Sequence, residues 1–159
     1  MYNFAPKDYL CPVCLGIQGL ESDKTMMKQN DRVYKDSLVS VFVNSKFVPD
    51  GPGHLIVVPN THYENLFETP KEILERIILV AREFGKILKE VRKCDGLQLV
   101  QNNGPVSGQH AFHFHMHLFP KFAKPQTDKT EVWVATTEER DSYSQPIKDY
   151  LHTHPIKLE

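Results

Sequence analysis

Cysteine is scarce in this sequence, which has 159 residues and three cysteines. An odd number cannot all pair. Cys11 and Cys14 stand in a C-x-x-C, which is more typical of metal binding or redox chemistry than of a disulfide framework. Long hydrophobic runs are lacking as well. The longest aliphatic stretch of the central region, Ile77 to Ala81, is far too short to span a bilayer, so we expect no membrane-spanning segment.

An excess of charge of one sign is also missing. Nineteen Lys and Arg residues against twenty Asp and Glu residues give a net charge of −1. Charge alone would therefore not hold the chain on nucleic acid or on an anionic membrane. The first ten residues lack the basic segment and apolar stretch of a secretory signal. We expect a cytoplasmic protein with no membrane or nucleic acid partner, and the length suits a single domain over residues 1–159.

Hydrophobic patterning predicts an α+β fold with a mainly antiparallel sheet. Apolar and β-branched residues predict strands within 33–47 and at 54–58, 97–100 and 112–119. The turn cluster at 49–53 is too short to hold a crossover helix, so the two strands that flank it should pair antiparallel.

Two helices are expected. An apolar stripe of helical period predicts one long helix over about 69–93, with Thr69 as its N-cap. A short C-terminal helix is expected over 136–151, with Thr136 and Glu139 as a capping box, although Pro146 should break or kink it. The remaining ends show no period. Irregular chain is therefore expected over residues 1–30, and a loosely held tail is expected over residues 152–159.

Histidine is the abundant residue. Of eight histidines, four lie close together at His110, His113, His115 and His117. Histidine is the side chain that most readily acts as ligand, base or nucleophile near neutral pH. Side chains alternate between the faces of a strand, so the last three should project from one face. A solvated strand face would ordinarily carry Lys, Thr or Glu, so this pattern favours a functional site.

The segment from His113 to Phe119 resembles the histidine triad motif, in which three histidines alternate with apolar residues. The segment from Pro52 to His62 is similar to the family's Pro-Gly-His strand with its Pro-x-x-His end. The Asn-Asn-Gly that begins at Asn102 and the Gly-Gln that ends at Gln109 precede the motif at the expected distance. The C-x-x-C is similar to that of the zinc-containing members.

The resemblance covers about residues 11–122 and leaves 123–159 as a C-terminal extension. It implies a five-stranded antiparallel sheet packed by the long helix, and usually a homodimer. It also implies an enzyme that hydrolyses or transfers at the α-phosphate of an adenine or other purine nucleotide conjugate. The route would be a covalent nucleotidyl-histidine, and the type either a phosphoramidase or a dinucleoside polyphosphate hydrolase.

The resemblance further implies a role for individual residues. His115 would be the nucleophile, and His117 would contact the phosphate and help the leaving group depart. His54, on the neighbouring strand, would support the histidine cluster. Gln109 would donate to the phosphate or the leaving group, and Asn102 would bind the nucleotide.

Two nucleotide-binding positions depart from the family pattern. His110 stands where the family commonly has Ser or Thr, and it could supply a charged donor or alter substrate choice. Asn44 stands where we count the family's ribose-binding Asp, so it could bond one ribose hydroxyl but carries no charge.

The C-x-x-C spacing lets both thiolates reach one ion, although a redox pair is the alternative. The resemblance implies one structural zinc per chain, bound by Cys11, Cys14, His62 and His113. Three other histidines are rival ligands: His110, His152 and His154.

Two other functions compete with the nucleotide hydrolase. One is a non-catalytic nucleotide-binding or scaffold protein of the same fold, which the departures at Asn44 and His110 keep open. The other is a metalloenzyme in which the alternating histidines bind a catalytic metal. The Gly-Gln and Pro-Gly-His segments favour the hydrolase over this metalloenzyme.

Overall fold

Five antiparallel strands form the central sheet of the computed structural model, which describes residues 3–22 and 24–158. In chain order the strands are β1 (Arg32–Lys35), β2 (Val39–Val43), β3 (Lys46–Phe47), β4 (Leu55–Pro59), β5 (Gly96–Gln101), β6 (Met116–Lys121) and β7 (Trp133–Val134). The sheet has the order β1-β2-β4-β6-β5, whereas β3 and β7 form a separate two-stranded ribbon. The predicted α+β fold with a five-stranded antiparallel sheet is confirmed, and so is the pairing of β2 with β4.

The long helix, α2, spans Lys71–Arg92 and lies within the predicted bounds. Its N-cap is Pro70, which makes no side-chain cap, so the expected capping by Thr69 is wrong. The hydroxyl of Thr69 instead donates to the carbonyl of Asn65 at 2.8 Å. No helix among the described residues has the length and apolar character needed to cross a bilayer.

The C-terminal helix, α3, spans Thr137–Thr153 and begins with the predicted capping box. It continues through Pro146, so the expected break is wrong. Proline removes one helical hydrogen bond, and the carbonyl that loses its donor belongs to Ser142, an exposed residue where water can satisfy it. The tail is also more ordered than expected, because the ring of His154 stacks on Tyr150 with centroids 4.4 Å apart.

The sheet buries both faces, and the two faces differ in what covers them. One face packs against α2 and α3 through alternate valines of β2 and leucines of β4 and β6. The other face, with Phe42, Ile56 and Val58, packs against Val13 and Met27 of the N-terminal segment. That segment contains a short helix, α1 (Pro12–Ile17), where irregular chain was expected. The second face is the one that carries the candidate site.

Candidate active site and metal centre

The histidine-rich segment enters the sheet later than expected. β6 begins at Met116, so His113 to His115 precede the strand that was predicted from 112. The neighbouring strand β4 ends at Pro59. Beyond Pro59 the regular hydrogen bonds between the two strands are replaced by individual hydrogen bonds. Nε2 of His113 donates to the carbonyl of Pro59 at 3.0 Å, and the amide of Phe114 donates to Tyr63 at 2.6 Å. These contacts tie the segment to the end of β4 and to the chain that follows it. Phe114 packs in the core cluster with residues of α2, whereas Phe112 packs against Tyr9.

His115 is buried, with 8% of its surface exposed. Its Nδ1 lies 2.8 Å from the carbonyl oxygen of His113, so Nδ1 carries the proton and donates it there. Burial, as the largest cause, lowers the pKa of His115, which keeps the ring neutral at pH 7. The lone pair is therefore on Nε2, the nitrogen that a nucleophile would use.

His117 and His54 complete a cluster of three neutral imidazoles. The ring of His117 lies 4.9 Å from that of His115 and 5.3 Å from that of His54, measured between centroids. Burial lowers the pKa of His117 to about 2 and that of His54 to about 3. Asn44 donates from Nδ2 to Nε2 of His54 at 2.8 Å and to the carbonyl of Lys46 at 3.0 Å. Because Nε2 of His54 accepts this hydrogen bond, the proton of the neutral ring is on Nδ1.

A pocket of about 300 Å³ opens beside this cluster, which we call the His115 pocket. Of the predicted site residues, Asn44, His110, His115 and His117 line it. Its other lining residues include apolar side chains from the second sheet face: Val13, Met27, Ile56 and Ala111. A largely apolar cleft with a few convergent polar groups is the usual form of a small-molecule site.

Sequence reasoning missed one wall of the His115 pocket. Lys24 and Met26 line it from the segment before β1, and Lys46 lines it from β3. Neither segment has a pattern that would separate it from an ordinary surface, because two-residue strands show no period and exposed lysines are common. Only the tertiary fold brings them beside His115.

Two predicted nucleotide-binding residues lie outside the lining of the pocket. Gln109 is 2% exposed, and its amide is bonded to the loop around it. Its Oε1 accepts from the amide of Gly104 at 2.7 Å, and its Nε2 donates to the carbonyl of Glu64 at 2.6 Å. Asn102 donates to the carbonyl of Gly108 at 3.5 Å. In this structure Gln109 therefore shapes the loop that leads to the triad.

The structure brings the four predicted zinc ligands together. Cys11, Cys14, His62 and His113 each offer one ligand atom, and these atoms all lie within 4.8 Å of one another. Nδ1 of His113 lies 3.4 Å from Sγ of Cys11, and Nδ1 of His62 lies 3.4 Å from Sγ of Cys14. Two sulfur and two nitrogen donors form a set typical of structural zinc.

The chemistry of the donor set also suits a cation. A hydrogen bond from the thiol of Cys14 is the largest cause that lowers the pKa of Cys11, to about 3. The pKa of Cys14 rises for the same reason, since its thiol is the donor. His113 donates from Nε2 to Pro59, which fixes the tautomer with a free lone pair on Nδ1. Such a backbone partner is usual behind a metal-bound histidine.

The alternative of a catalytic metal on the histidine triad is not favoured. Among the described residues, the four-residue cluster is the group of metal-binding side chains that converge, and neither His115 nor His117 belongs to it. The rival ligands His110, His152 and His154 lie outside it too. Among the described residues no strand precedes α1, so the cysteine pair lacks the strand-then-helix setting of a thioredoxin-type redox motif.

Known proteins resemble the chain in sequence and in fold. The sequence model of the HIT domain family matches residues 26–124 of this chain. An uncharacterized HIT-like protein of Saccharolobus solfataricus is 31% identical over 121 residues, which are 76% of this chain and 86% of that protein. A hypothetical histidine triad nucleotide-binding protein of Sulfolobus tokodaii has a TM-score of 0.75 at 25% identity, over 90% of this chain and 93% of that one. A zinc-bound histidine triad protein of Mycobacterium smegmatis has a TM-score of 0.71 at 23% identity, over 91% and 94% of the chains.

Proposed function

The chain belongs to the HIT domain family, and we propose that it hydrolyses or transfers nucleotides at the α-phosphate, with His115 as the nucleophile. The proposed substrate is a conjugate of adenylate or another purine nucleotide. His117 would contact the phosphate beside His115, and His54 would support it from β4. Asn44 and His110 would contact the nucleotide from the pocket wall.

The observation that carries this proposal is the tautomer of His115. A nucleophilic imidazole must be neutral and must have its lone pair on the nitrogen that faces the substrate. The bond from Nδ1 to the carbonyl of His113 and the lowered pKa meet both requirements. The ring also lines the His115 pocket, whose other lining residues are largely apolar.

The proposed reaction has two steps. Nε2 of His115 bonds to the α-phosphorus as the bond from phosphorus to the leaving group breaks, and the leaving group takes the electron pair. Water then bonds to the phosphorus as the nitrogen–phosphorus bond breaks. The water proton goes to solvent, the nucleotide is released, and His115 is again neutral.

Trapping the covalent adduct tests the proposal. Wild-type protein and the variants His115→Asn and His110→Asn are each mixed with an adenosine phosphoramidate, quenched and measured by mass spectrometry. We expect an adenylyl adduct on His115 in the wild type and in His110→Asn, and none in His115→Asn. His115→Asn should still bind AMP yet lose turnover by several orders of magnitude. An adduct on His110, or a tenth or more of wild-type kcat in His115→Asn, would contradict the assignment.

We also propose that the cysteine–histidine cluster holds one structural zinc. Four protein ligands leave no open position, so the ion would supply stability and no step of the reaction. It would tie the N-terminal segment to His113, two residues before the nucleophile. The reducing compartment expected from the sequence would keep both thiols available to the ion.

One observation favours the non-catalytic alternative. Gln109, expected to assist the leaving group, has its whole amide engaged by Gly104, Glu64 and Ala111. A protein that binds nucleotide without chemistry would bind AMP and substrate analogues but form no adduct. The trapping experiment separates the two functions, because only the enzyme accumulates a nucleotidyl-histidine.

The homodimer expected from the resemblance has a suitable surface, and we propose it as the assembly. β5 is an edge strand of the sheet, and its Leu97 and Leu99 are 36% and 43% exposed. Leu97 packs beside Gly85 of α2, and Ile78, two helical turns earlier, is also exposed. Light scattering should give a dimer at micromolar concentration, and Leu99→Lys should weaken it. The control Val132→Lys, which changes an exposed valine outside β5 and α2, should not.

A further inference from the structure

Two lysines from separate parts of the chain line the His115 pocket. Lys24 comes from the segment before β1 and Lys46 from β3, and His110, from the loop before β6, adds an imidazole that can donate a hydrogen bond. All three side chains belong to exposed residues. Within residues 3–22 and 24–158, no carboxylate lies within 4.0 Å of either lysine ammonium. Among the described residues, both lysine charges are therefore without an ion-pair partner at the pocket.

The charge is a local property. The whole chain has a net charge of −1, yet among the described residues no Asp or Glu lines the pocket. Asn44 is neutral at the position where the resemblance expects a carboxylate. A cleft lined by one sign of charge concentrates ligands of the opposite sign.

We propose that Lys24, Lys46 and His110 form a subsite for an oxyanion attached to the α-phosphate of the bound nucleotide. This inference rests on the proposed function. The preferred substrates are then nucleotidyl anhydrides, whose leaving group is a phosphate or a sulfate, over conjugates with a neutral or cationic amine.

The state of the histidine cluster supports the same preference independently. An amine must receive a proton as it leaves, whereas a phosphate or sulfate departs as a stable anion that keeps the electron pair. Burial leaves His117 neutral at pH 7, and the described residues that line the pocket include no carboxylic acid. An amine can therefore leave only after the bound phosphate has raised the pKa of His117 enough for the ring to carry a proton, whereas a phosphate or sulfate does not depend on that step.

The test uses three aryl esters of AMP whose phenol leaving groups have matched pKa values but carry a sulfonate, a neutral or a trimethylammonium substituent. Matching the pKa removes differences in intrinsic reactivity. In the wild type, kcat/KM should fall from the anionic to the neutral to the cationic ester. Lys24→Gln and Lys46→Gln should each reduce the anionic-to-neutral ratio by about fivefold, the size of one unit-charge interaction at contact distance in water. The preference should also weaken as salt rises.

The matched control is Lys35→Gln combined with Lys157→Gln, which removes two exposed lysines that do not line the pocket. It should leave the ratio unchanged. Turnover of all three esters at equal kcat/KM by the wild type would overturn the subsite while leaving the proposed function intact. The same conclusion would follow if the control lowered the ratio as much as the pocket variants did.

Binding measurements keep the subsite testable if the protein turns over none of the esters, an outcome that would count against the proposed function alone. Titration with AMP, ADP and adenylyl sulfate compares no added group, a phosphate and a sulfate. ADP should bind about tenfold or more tighter than AMP, and the double variant Lys24→Gln, Lys46→Gln should lose that margin. Tighter binding of adenylyl sulfate than of ADP would identify sulfate as the better occupant. Equal binding of all three would overturn the subsite.

Discussion

The carbonyl oxygen of His113 accepts a hydrogen bond from Nδ1 of His115, with 2.8 Å between the two atoms, while Nδ1 of the His113 ring faces the cysteines of the cluster. One residue thus belongs to the candidate metal site through its side chain and sets the tautomer of the nucleophile through its backbone. A metal on His113 would hold the backbone that orients His115. Metal binding would then affect catalysis by keeping this backbone rigid, and the metal would take no part in the chemical step.

The first prediction concerns that metal. Purified protein should contain one zinc per chain, and Cys14→Ser should lose it and lower the melting temperature. The loss should affect the melting temperature more strongly than kcat per folded molecule, because the cluster supports His115 only through the backbone. Cys94→Ala, which changes a buried cysteine outside the cluster, should keep its zinc. Well under one equivalent of metal, with no uptake on titration, would contradict the prediction.

The second prediction concerns stability against pH. His54 and His117 have pKa values of about 3 and about 2 when folded, below the ordinary 6.5. The unfolded chain therefore binds more protons below pH 6.5, so the free energy of unfolding falls as the pH falls from 6.5 toward 3. At pH 5 each histidine should contribute a loss on the order of 2 kcal/mol relative to pH 8.

Urea unfolding at pH 8 and at pH 5 measures this loss. His117→Gln should remove about half of the pH dependence due to the pair, and any contribution from zinc release cancels between variant and wild type. His152→Gln, at an exposed position in the last turn of α3, should change nothing. An unchanged pH dependence in His117→Gln would show that this ring is not held neutral.

The third prediction concerns a buried ion pair outside the site. Nε of Arg140 lies 3.1 Å from Oδ1 of Asp31, and both side chains are almost fully buried. Arg140 also donates to the carbonyl of Met26 at 2.9 Å, so α3 braces the missed wall of the His115 pocket. Arg140→Met should destabilise the protein by about 3–5 kcal/mol, because it leaves the carboxylate buried and unpaired.

A double-mutant cycle with Asp31→Leu should recover much of that loss, since the pair is then replaced by apolar groups. Arg82→Met, on the exposed face of α2, should cost no more than about 0.5 kcal/mol. Additive losses at Asp31 and Arg140 would mean that the two charges do not act as a pair. A raised KM for nucleotide in Arg140→Met, with kcat retained, would report the loosened pocket wall.

The sequence predicted the elements whose hydrophobic pattern repeats over many residues. α2 has 22 residues with one apolar stripe, and it lies within two residues of the expected bounds at the start and one at the end. β3 lies within the region 33–47 where strands were predicted, but β7 and its pairing with β3 were not, because two residues carry no periodic signal. The break expected at Pro146 was wrong, because local propensity does not show that the carbonyl left without a donor belongs to Ser142, an exposed residue.

The residues that a sequence motif indicates lie together in the structure, whereas those that only tertiary packing brings to the pocket were not predicted. The structure brings together the four expected ligands and places His115 and His117 in one pocket. The segment with Lys24 and Met26 was missed because the chain folds it over the histidines from far away in sequence. Asn44 was expected to meet the ribose, yet the structure also gives it a bond to His54.

The last prediction separates the roles of His115 and His117. Loss of His115 removes the nucleophile, so His115→Asn should abolish turnover whatever the leaving group. Loss of His117 removes a group that polarises the phosphate and passes a proton to the leaving atom, once the bound phosphate has raised its pKa. His117→Ala should therefore slow an amine leaving group by about 10²-fold or more, and a nitrophenol leaving group by about tenfold or less. Kinetics of the two variants on both substrates give the comparison. An equal loss on both leaving groups in His117→Ala would assign it to phosphate binding alone, because a proton donor matters only when the leaving group needs the proton.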